Sequence, residues 1–356
     1  MWKLPQPIDD INSQYVQEAR ARHDQLTKPP GSLGFLEEIG IRLAGIQENI
    51  LPDVDSAAVV VMAADHGVTE EGVSAFPSEV TVQMVLNFMN GGAAVNALAR
   101  NAGADVHVVD IGVKSDIPNA AQFTERPGSR LWIDKVRYGT ANMAKEPAMT
   151  RAEAEEALQV GWRMGETLYN QGYKMVALGE MGIGNTTASA AITSLLANVP
   201  VDQITGTGTG LSAAGVRQKV ATIQRAIELH NPNSADPIDV LAKVGGLEIA
   251  GLAGLTLACA AYRIPVVVDG FITGAAALAA VRMDERVRSY LFASHQSVEP
   301  GHQVVLEALG LRPLFDFSMR LGEGSGAALA LPVLKAAARV LREMATFAEA
   351  GVADGK

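Results

Sequence analysis

The sequence predicts a three-layer α/β fold, and two observations support this prediction. First, short and continuously apolar segments recur along the chain, at 57–63, 106–111, 174–178, 265–268 and 290–293. Continuous rather than alternating apolarity indicates strands that are buried on both faces, as in a parallel sheet. Second, helical segments lie between these strands. Such alternation is typical of a mainly parallel, Rossmann-like sheet that carries helices on both faces.

The amino-terminal segment is predicted to form two helices that are separated by a break. Residues 10–25 are polar and periodic, and the prolines of Lys28-Pro29-Pro30-Gly31 cannot continue a helix. Ser32 is placed to cap a second helix that ends near Gln47, because its hydroxyl can accept from the first free amides.

The helices of the core follow the strands in order. Their predicted ranges are 78–100, 151–171, 186–197, 213–230, 270–283 and 299–309. The segment 114–147 is irregular and charged, and it is interpreted either as a strand-poor excursion or as an edge hairpin.

The carboxyl-terminal end returns to helix. Residues 325–347 are predicted to form a long helix that is interrupted or kinked at Pro332. Together with the amino-terminal helices, this segment predicts a small helical subdomain made from both chain ends, residues 1–50 and 330–356. The subdomain is expected to pack on a single α/β core, residues 51–329.

Composition excludes several classes of partner. Acidic residues number 39 against 29 basic ones, which gives a net charge of −10. A negative field repels phosphate backbones and anionic lipids, so nucleic acid and membrane surfaces are not expected partners. The single cysteine, Cys259, excludes an intrachain disulfide and a multi-thiolate metal site, and it suits a cytoplasmic protein. The most apolar stretch, 249–262, is shorter than the roughly 20 residues that a membrane span needs.

Candidate site residues come from the ends of the predicted strands. In an open parallel sheet, ligands bind beyond the carboxyl ends of the strands. The polar residues at these positions are Asp65, Asp110, Glu180, Asp269 and Ser294. Ordinary turn chemistry could explain any one of them, but the whole set indicates a site.

Two glycine-rich segments, 179–187 and 206–210, are candidates for holding an anion. Asp202 is the only charged residue between Met181 and Val216, so the region offers backbone amides and hydroxyls rather than charges. A helix that begins near the first segment would add its positive end. The candidate ligand-binding residues in these segments are Gly182, Gly184, Asn185, Thr186, Gly206 and Gly208.

Three further positions are candidates for binding or catalysis. Lys219 follows the second glycine-rich segment and could bind a phosphate, although an isolated helix lysine is usually solvated. Met84 and Phe88 lie one helical turn apart and could line an aromatic pocket or simply belong to the core. Glu323 stands between two glycines, where it is interpreted either as a general base over a pocket or as a surface turn. The histidines are scattered, so no metal site is predicted.

Six motifs occur in an order that resembles the nicotinate-nucleotide:dimethylbenzimidazole phosphoribosyltransferase family, over nearly the whole chain. They are Lys28-Pro29-Pro30-Gly31-Ser32-Leu33-Gly34, Ala64-Asp65-His66-Gly67-Val68, Gly179-Glu180-Met181-Gly182-Ile183-Gly184-Asn185-Thr186-Thr187, Lys243-Val244-Gly245-Gly246, Asp269-Gly270-Phe271 and Arg320-Leu321-Gly322-Glu323-Gly324-Ser325-Gly326. The resemblance implies transfer of phosphoribose from nicotinate mononucleotide to 5,6-dimethylbenzimidazole, giving α-ribazole 5′-phosphate and nicotinate during assembly of the cobalamin lower ligand. It also implies a homodimer with an α/β core and a helical subdomain from both chain ends.

The resemblance also assigns roles to individual residues. Glu323 matches the general base of the family, Glu180 matches its second active-site glutamate, and Lys219 matches a phosphate-contacting lysine. Met181, Leu321, Asp269, Ser294, Gln83 and Met84 are further candidate substrate-binding residues. Some members have a serine where this chain has Phe76 and a glutamine where it has Met84, which changes the expected hydrogen bonds to the incoming base.

The implied chemistry needs neither a metal nor a cofactor. The pyridinium of nicotinate mononucleotide is already a positively charged leaving group, so it replaces the magnesium pyrophosphate of ordinary phosphoribosyltransferases. One alternative is a dinucleotide-dependent oxidoreductase, which Gly182 and Gly184 suit but Thr187 opposes, because it occupies the position of the third glycine of the fingerprint. The other is a non-catalytic nucleotide-binding module, which would need the anion site but not Glu323.

Overall fold

The computed structural model describes residues 2–125, 128–208 and 210–353. Residues 1, 126–127, 209 and 354–356 lie outside the described residues; they fall in the predicted subdomain, the irregular segment and the second glycine-rich segment. The described residues form a six-stranded, wholly parallel sheet with the strand order β3-β2-β1-β4-β5-β6. The strands are β1 Ala57–Ala64, β2 Ala104–Gly112, β3 Arg130–Ile133, β4 Met175–Met181, β5 Val266–Val268 and β6 Leu291–Ala293.

Helices cover both faces of this sheet. They are α1 Ser13–Gln25, α2 Phe35–Gln47, α3 Glu79–Met89, α4 Ala94–Ala102, α5 Ala121–Thr124, α6 Arg151–Asn170, α7 Asn185–Ala197, α8 Val201–Ile204, α9 Ala213–His230, α10 Pro237–Val244, α11 Leu247–Ala261, α12 Phe271–Met283, α13 Pro300–Leu309, α14 Ser325–Glu343 and α15 Phe347–Ala350. Two 3₁₀ helices span Gly67–Glu71 and Glu285–Tyr290.

The strand order confirms the predicted Rossmann-like α/β class. The chain builds one half of the sheet outward from β1 and then crosses to β4, so the order reverses between these two central strands. Every residue of β1 and of β4 is buried, as the apolar sequence of β1 and of the first part of β4 predicts; the buried Glu180 near the end of β4 is the exception to the apolar pattern. Ligands bind at such a reversal point, beyond the carboxyl ends of the strands.

The most apolar stretch of the chain forms a buried helix of the core. All residues of α11 except its last are buried, and the helix packs closely on α6. A Cβ at Gly161 of α6 would collide with the backbone oxygen of Gly251, so only glycine permits this contact. None of the helices in the described ranges combines the length and apolarity of a membrane-crossing segment.

Several predicted helix boundaries are wrong, and local backbone geometry explains them. The predicted helix 78–100 is two helices, because Gly91 adopts a left-handed φ of 77° between α3 and α4. Ser32 does not cap α2, whose N-cap is Gly34. The helix α14 continues through Pro332 without interruption and ends at Glu343, before the predicted end.

The irregular segment 114–147 contains an edge strand, and the hairpin interpretation is wrong. The strand β3 pairs with β2 in parallel, so it is reached by a crossover rather than by a tight turn. Only Leu131 is fully buried in this strand. Because the other positions need not be apolar, the sequence of the strand shows no continuous apolar segment.

The two chain ends meet, as the predicted helical subdomain requires. The Arg22 guanidinium of α1 donates to the Leu341 carbonyl of α14 at 2.7 Å, and a small apolar cluster joins Ala19, Ala44 and Leu341. The boundaries at residues 50 and 330 stay a prediction, because α14 crosses the second of them and also packs against β4.

Candidate active site

An open cleft of about 240 Å³ lies beyond the carboxyl ends of β4, β5 and β6. The structure brings most of the predicted site residues to its walls. Those that line it are Met84, Glu180, Met181, Gly182, Asn185, Thr186, Gly208, Leu321 and Glu323. Residues that are separated by more than 200 positions in the sequence therefore share one cavity, as expected for this sheet edge.

Glu180 lies near the end of β4 with its carboxyl group buried at the floor of the cleft. One carboxyl oxygen accepts a hydrogen bond from the Asn185 amide, and the other lies 3.4 Å from the Glu323 backbone N–H, which donates to it. Burial, reinforced by the negative charge of Asp269, raises the pKa of Glu180 to about 8. Glu180 is therefore mainly protonated at neutral pH.

Glu323 occupies a strained turn directly above Glu180. Its φ of 63° is left-handed, and the neighbouring Gly322 and Gly324 also have positive φ values. The turn lies so close to β4 that a Cβ at Gly179 would stand only 2.7 Å from the Glu323 carbonyl oxygen. Burial raises the pKa of the Glu323 carboxyl to about 7, so it can gain or lose a proton near neutrality. The surface-turn interpretation is wrong, because Glu323 is 8% exposed.

Asp269 fixes this turn rather than lining the cleft. Its carboxylate accepts from the backbone amides of Gly324 at 3.1 Å and Ala327 at 2.9 Å, so it occupies the amino-terminal end of α14. Because Asp269 occupies that helix end, α14 does not hold the Glu323 carboxyl ionised. Burial nevertheless raises the pKa of Asp269 to about 7. Ser294 is also buried behind the cleft, and its hydroxyl donates to the Asp269 carbonyl at 3.0 Å.

The first glycine-rich segment forms the turn that leads from β4 into α7. Gly184 caps α7 with a φ of 97°, so the helix begins at Asn185 and directs its amino-terminal end toward the cleft wall. Thr186 lines the cleft, and its hydroxyl accepts a hydrogen bond from the Lys219 ammonium at 2.8 Å. A helix amino terminus beside a lysine is a suitable environment for an anion.

Lys219 lies behind the cleft wall and is not solvated. It is 1% exposed, and burial lowers the pKa of its ammonium to about 8. A Cβ at Gly208 would stand 3.3 Å from the Lys219 nitrogen and 3.0 Å from the Thr186 hydroxyl, so this cleft-lining glycine packs directly against both groups. Thr209, next to it, lies outside the described residues.

Some predicted residues do not reach the cleft. Gln83 is exposed on α3, one position from Met84, and Phe88 is a core residue. Asp65 and Asp110 hold neighbouring loops: Asp65 accepts from the Lys114 amide at 2.7 Å, and Asp110 pairs with Lys135 at 2.9 Å. Those that stand in the second layer around the cleft are Gly184, Gly206, Lys219, Asp269 and Ser294.

Sequence reasoning did not assign several residues that do line the cleft. They include Phe76, Val80, Phe271, His295, Glu299 and Arg320. Phe271 and Arg320 stand inside the motifs quoted above, which is a signal that could have found them. Glu299 only opens a predicted helix, so nothing in its sequence neighbourhood marks it.

No group of three or more His, Cys, Asp or Glu side chains in the described ranges could hold a metal ion. His66 pairs with the buried Glu248 at 2.7 Å behind Gly182. Although burial opposes it, the Glu248 carboxylate raises the pKa of His66.

Comparison with known proteins agrees with this architecture. The model of a phosphoribosyltransferase family matches residues 8–352. The chain belongs to this family. Its relatives include two proteins named nicotinate-nucleotide--dimethylbenzimidazole phosphoribosyltransferase. The one from Halalkalibacterium halodurans is 55% identical over 97% of this chain and 94% of its own length. The one from Geobacter sulfurreducens is 52% identical over 98% of this chain and 97% of its own length.

Solved structures give the same result for the fold. A crystal structure from Thermus thermophilus with the same enzyme name has a TM-score of 0.89 at 49% identity, and the match covers 97% of this chain and 100% of that one. A second structure from this organism, titled CobT, has a TM-score of 0.90 at 49% identity, covering 96% of this chain and all of that one. The chain is thus a phosphoribosyltransferase with the predicted α/β fold, and nothing in these matches supports the oxidoreductase or the non-catalytic module.

Proposed function

We propose that this phosphoribosyltransferase transfers phosphoribose from nicotinate mononucleotide to 5,6-dimethylbenzimidazole, giving α-ribazole 5′-phosphate and nicotinate. The names of the relatives support these substrates. The observation that carries the proposal is Glu323, a nearly buried carboxyl with a pKa of about 7 at the wall of a largely apolar cleft. Such a group is suited to accept a proton from a planar, neutral base.

The reaction forms one bond from C1′ to a benzimidazole nitrogen and breaks the bond from C1′ to the pyridinium nitrogen. One nitrogen of the benzimidazole attacks C1′ of the ribose, and the bond from C1′ to the pyridinium nitrogen breaks, leaving its electron pair on nicotinate. The second benzimidazole nitrogen then loses its proton to Glu323. The donor nitrogen needs no protonation as it leaves, so this chemistry requires one base and no metal.

The surrounding groups support this division of roles. Glu180, whose pKa is raised to about 8, stays protonated and leaves Glu323 as the proton acceptor. Met84, Leu321 and Phe76 offer an apolar surface for a planar base at the rim of the cleft. The Thr186 hydroxyl, backed by Lys219, is suited to the 5′-phosphate. The two substrates would then be positioned for in-line attack, which itself contributes much of the rate.

The test is a reaction with both substrates. The purified chain is mixed with nicotinate mononucleotide and 5,6-dimethylbenzimidazole, and nicotinate and α-ribazole 5′-phosphate are separated by chromatography. We expect the two products in equal amounts, and no nicotinate when the base is omitted. Nucleotide binding without nicotinate release in the full mixture would contradict the proposal.

We also propose that the chain works as a homodimer in the cytoplasm. The family resemblance supports the dimer, and the buried, unpaired Cys259 is compatible with a reducing compartment. Light scattering after size exclusion tests the oligomeric state, since a dimer has twice the mass of the chain. A monomer that retains full activity would contradict the dimer.

A further inference from the structure

Glu299 is a second carboxylate of the cleft wall, and the mechanism above does not use it. It is the N-cap residue of α13 and it is 8% exposed. Its Oε2 atom is buried and has no hydrogen-bond partner among the described residues. Burying a carboxylate oxygen without a donor costs free energy, so this arrangement indicates that a donor arrives with a ligand.

None of the described residues around Glu299 donates a hydrogen bond to this oxygen. The oxygen packs against Gly206, where a Cβ would collide with it. Lys219 lies close enough for the Glu299 charge to raise its pKa, although burial lowers that pKa more strongly. The Lys219 ammonium donates to Thr186. The backbone N–H of Glu299 donates to the Ser297 hydroxyl at 3.4 Å, which fixes the start of the helix.

The chemistry of this corner selects a particular kind of ligand group. A carboxylate accepts hydrogen bonds and repels anions, so Glu299 suits neither the phosphate nor the nicotinate carboxylate of the donor. Lys219, whose pKa the Glu299 charge raises, lies nearby, and it packs against Gly208 at the proposed phosphate position. The ligand must therefore present neutral O–H donors close to a phosphate. The vicinal hydroxyls of a ribose 5-phosphate satisfy both conditions.

We propose that Glu299 accepts a hydrogen bond from the 2′- or 3′-hydroxyl of the ribose and makes the enzyme selective for ribonucleotides over deoxyribonucleotides. This inference rests on the proposed function, because it takes the nucleotide as the ligand of the cleft. It adds a specificity residue that acts on the sugar, apart from Glu323 and Glu180, which face the reacting base.

The test compares binding of ribose and deoxyribose nucleotides without turnover. Calorimetry measures the Kd of nicotinate mononucleotide and of its 2′-deoxy and 3′-deoxy analogues, in the absence of base. A hydrogen bond to a charged acceptor corresponds to about a tenfold difference or more in Kd, so the parent protein should bind at least one analogue that much more weakly. In Glu299→Ala the ratio should fall to about one, while Glu307→Gln, an exposed carboxylate on the same helix, should leave it unchanged.

A second variant protects the test against misfolding. Glu299→Gln keeps the shape and one acceptor oxygen but loses the charge, so the ratio should fall to a few-fold even if the alanine variant does not fold. An unchanged ratio in the folded Glu299 variants, or equal binding of all three nucleotides by the parent protein, would overturn the inference. The proposed function fails differently, as absence of turnover in the parent protein, so the two failures are distinguishable.

Discussion

Replacing Glu323 with glutamine removes the proposed base while keeping its shape. The turn itself should persist, because Asp269 holds its backbone at Gly324 and Ala327 and the side chain makes no contribution to that anchor. Positioned general bases contribute roughly 10²–10⁴-fold to the rate, so kcat for nicotinate release should fall by about that range. The KM for nicotinate mononucleotide should change little, because Glu323 is assigned to the incoming base.

The raised pKa adds a pH signature to this prediction. A base with a pKa of about 7 is half ionised at that pH and about one-tenth ionised one unit lower, so the parent rate should fall about fivefold from pH 7 to pH 6 and about tenfold for each further unit. Glutamine does not titrate, so this acidic limb should disappear in Glu323→Gln. A helix dipole that kept the carboxylate ionised would instead move the limb below pH 5.

The assay is nicotinate release at saturating base, followed from pH 5 to 8. Glu343→Gln is the matched control. Glu343 is an exposed carboxylate at the far end of α14, the helix that follows Glu323, and 64% of its side chain is accessible. Near-full kcat in Glu323→Gln would refute the assignment. The proton would then go to Glu180, and Glu180→Gln would be the next variant to measure.

Three further predictions concern the groups around Glu323. Lys219→Ala should raise the KM for nicotinate mononucleotide about tenfold or more, as expected for a lost charge-assisted hydrogen bond, and an unchanged KM would exclude a phosphate role. Activity should survive exhaustive EDTA treatment, and a loss restored by magnesium would contradict the metal-free mechanism. Glu180→Gln should gain stability relative to the parent between pH 5 and 8. The parent carboxyl, with its pKa raised to about 8, stays protonated in the folded state while the unfolded chain ionises, so parent stability falls as the pH rises. Melting temperatures of the parent and of Glu180→Gln at pH 5 and pH 8 test this. The same difference between the two proteins at both pH values would contradict a buried, protonated carboxyl.

Most of the sheet could be predicted from the sequence because strands that are buried on both faces consist mainly of apolar residues. The central strand β1 is continuously apolar and β4 is apolar up to Glu180, and the predicted starts of both strands agree with the observed ones within one residue. The edge strand β3 carries no such mark, since only one of its positions is fully buried. The break between α3 and α4 depends on the φ of Gly91, and a single glycine inside a periodic pattern does not fix that angle.

The site was predictable in its position but not in its electrostatics. Strand ends and glycine-rich segments indicated where Glu180 and Glu323 would lie. Whether a helix end stabilises the ionised form of Glu323 depends on Asp269, which lies far away in the sequence. Its carboxylate accepts the hydrogen bonds of the first amides of α14. In the same way, the burial of Lys219 follows from how α9 packs behind α7, which no local pattern reports. Glu299 is the clearest example of what the sequence does not predict. Its carboxylate oxygen is buried without a hydrogen-bond partner in the described part of the chain because it packs against Gly206, far away in the sequence.

The different pKa values of Glu180 and Glu323 determine which of the two carboxyls accepts a proton. At neutral pH Glu180 is mainly protonated, whereas Glu323 is about half ionised. The remaining negative charge on Glu323 attracts the positively charged pyridinium of the donor and is ready to accept the benzimidazole proton. When that proton arrives, both carboxyls are neutral and the leaving nicotinate has lost its positive ring charge. The attraction that held the donor is then gone, so we expect the reaction itself to promote nicotinate release.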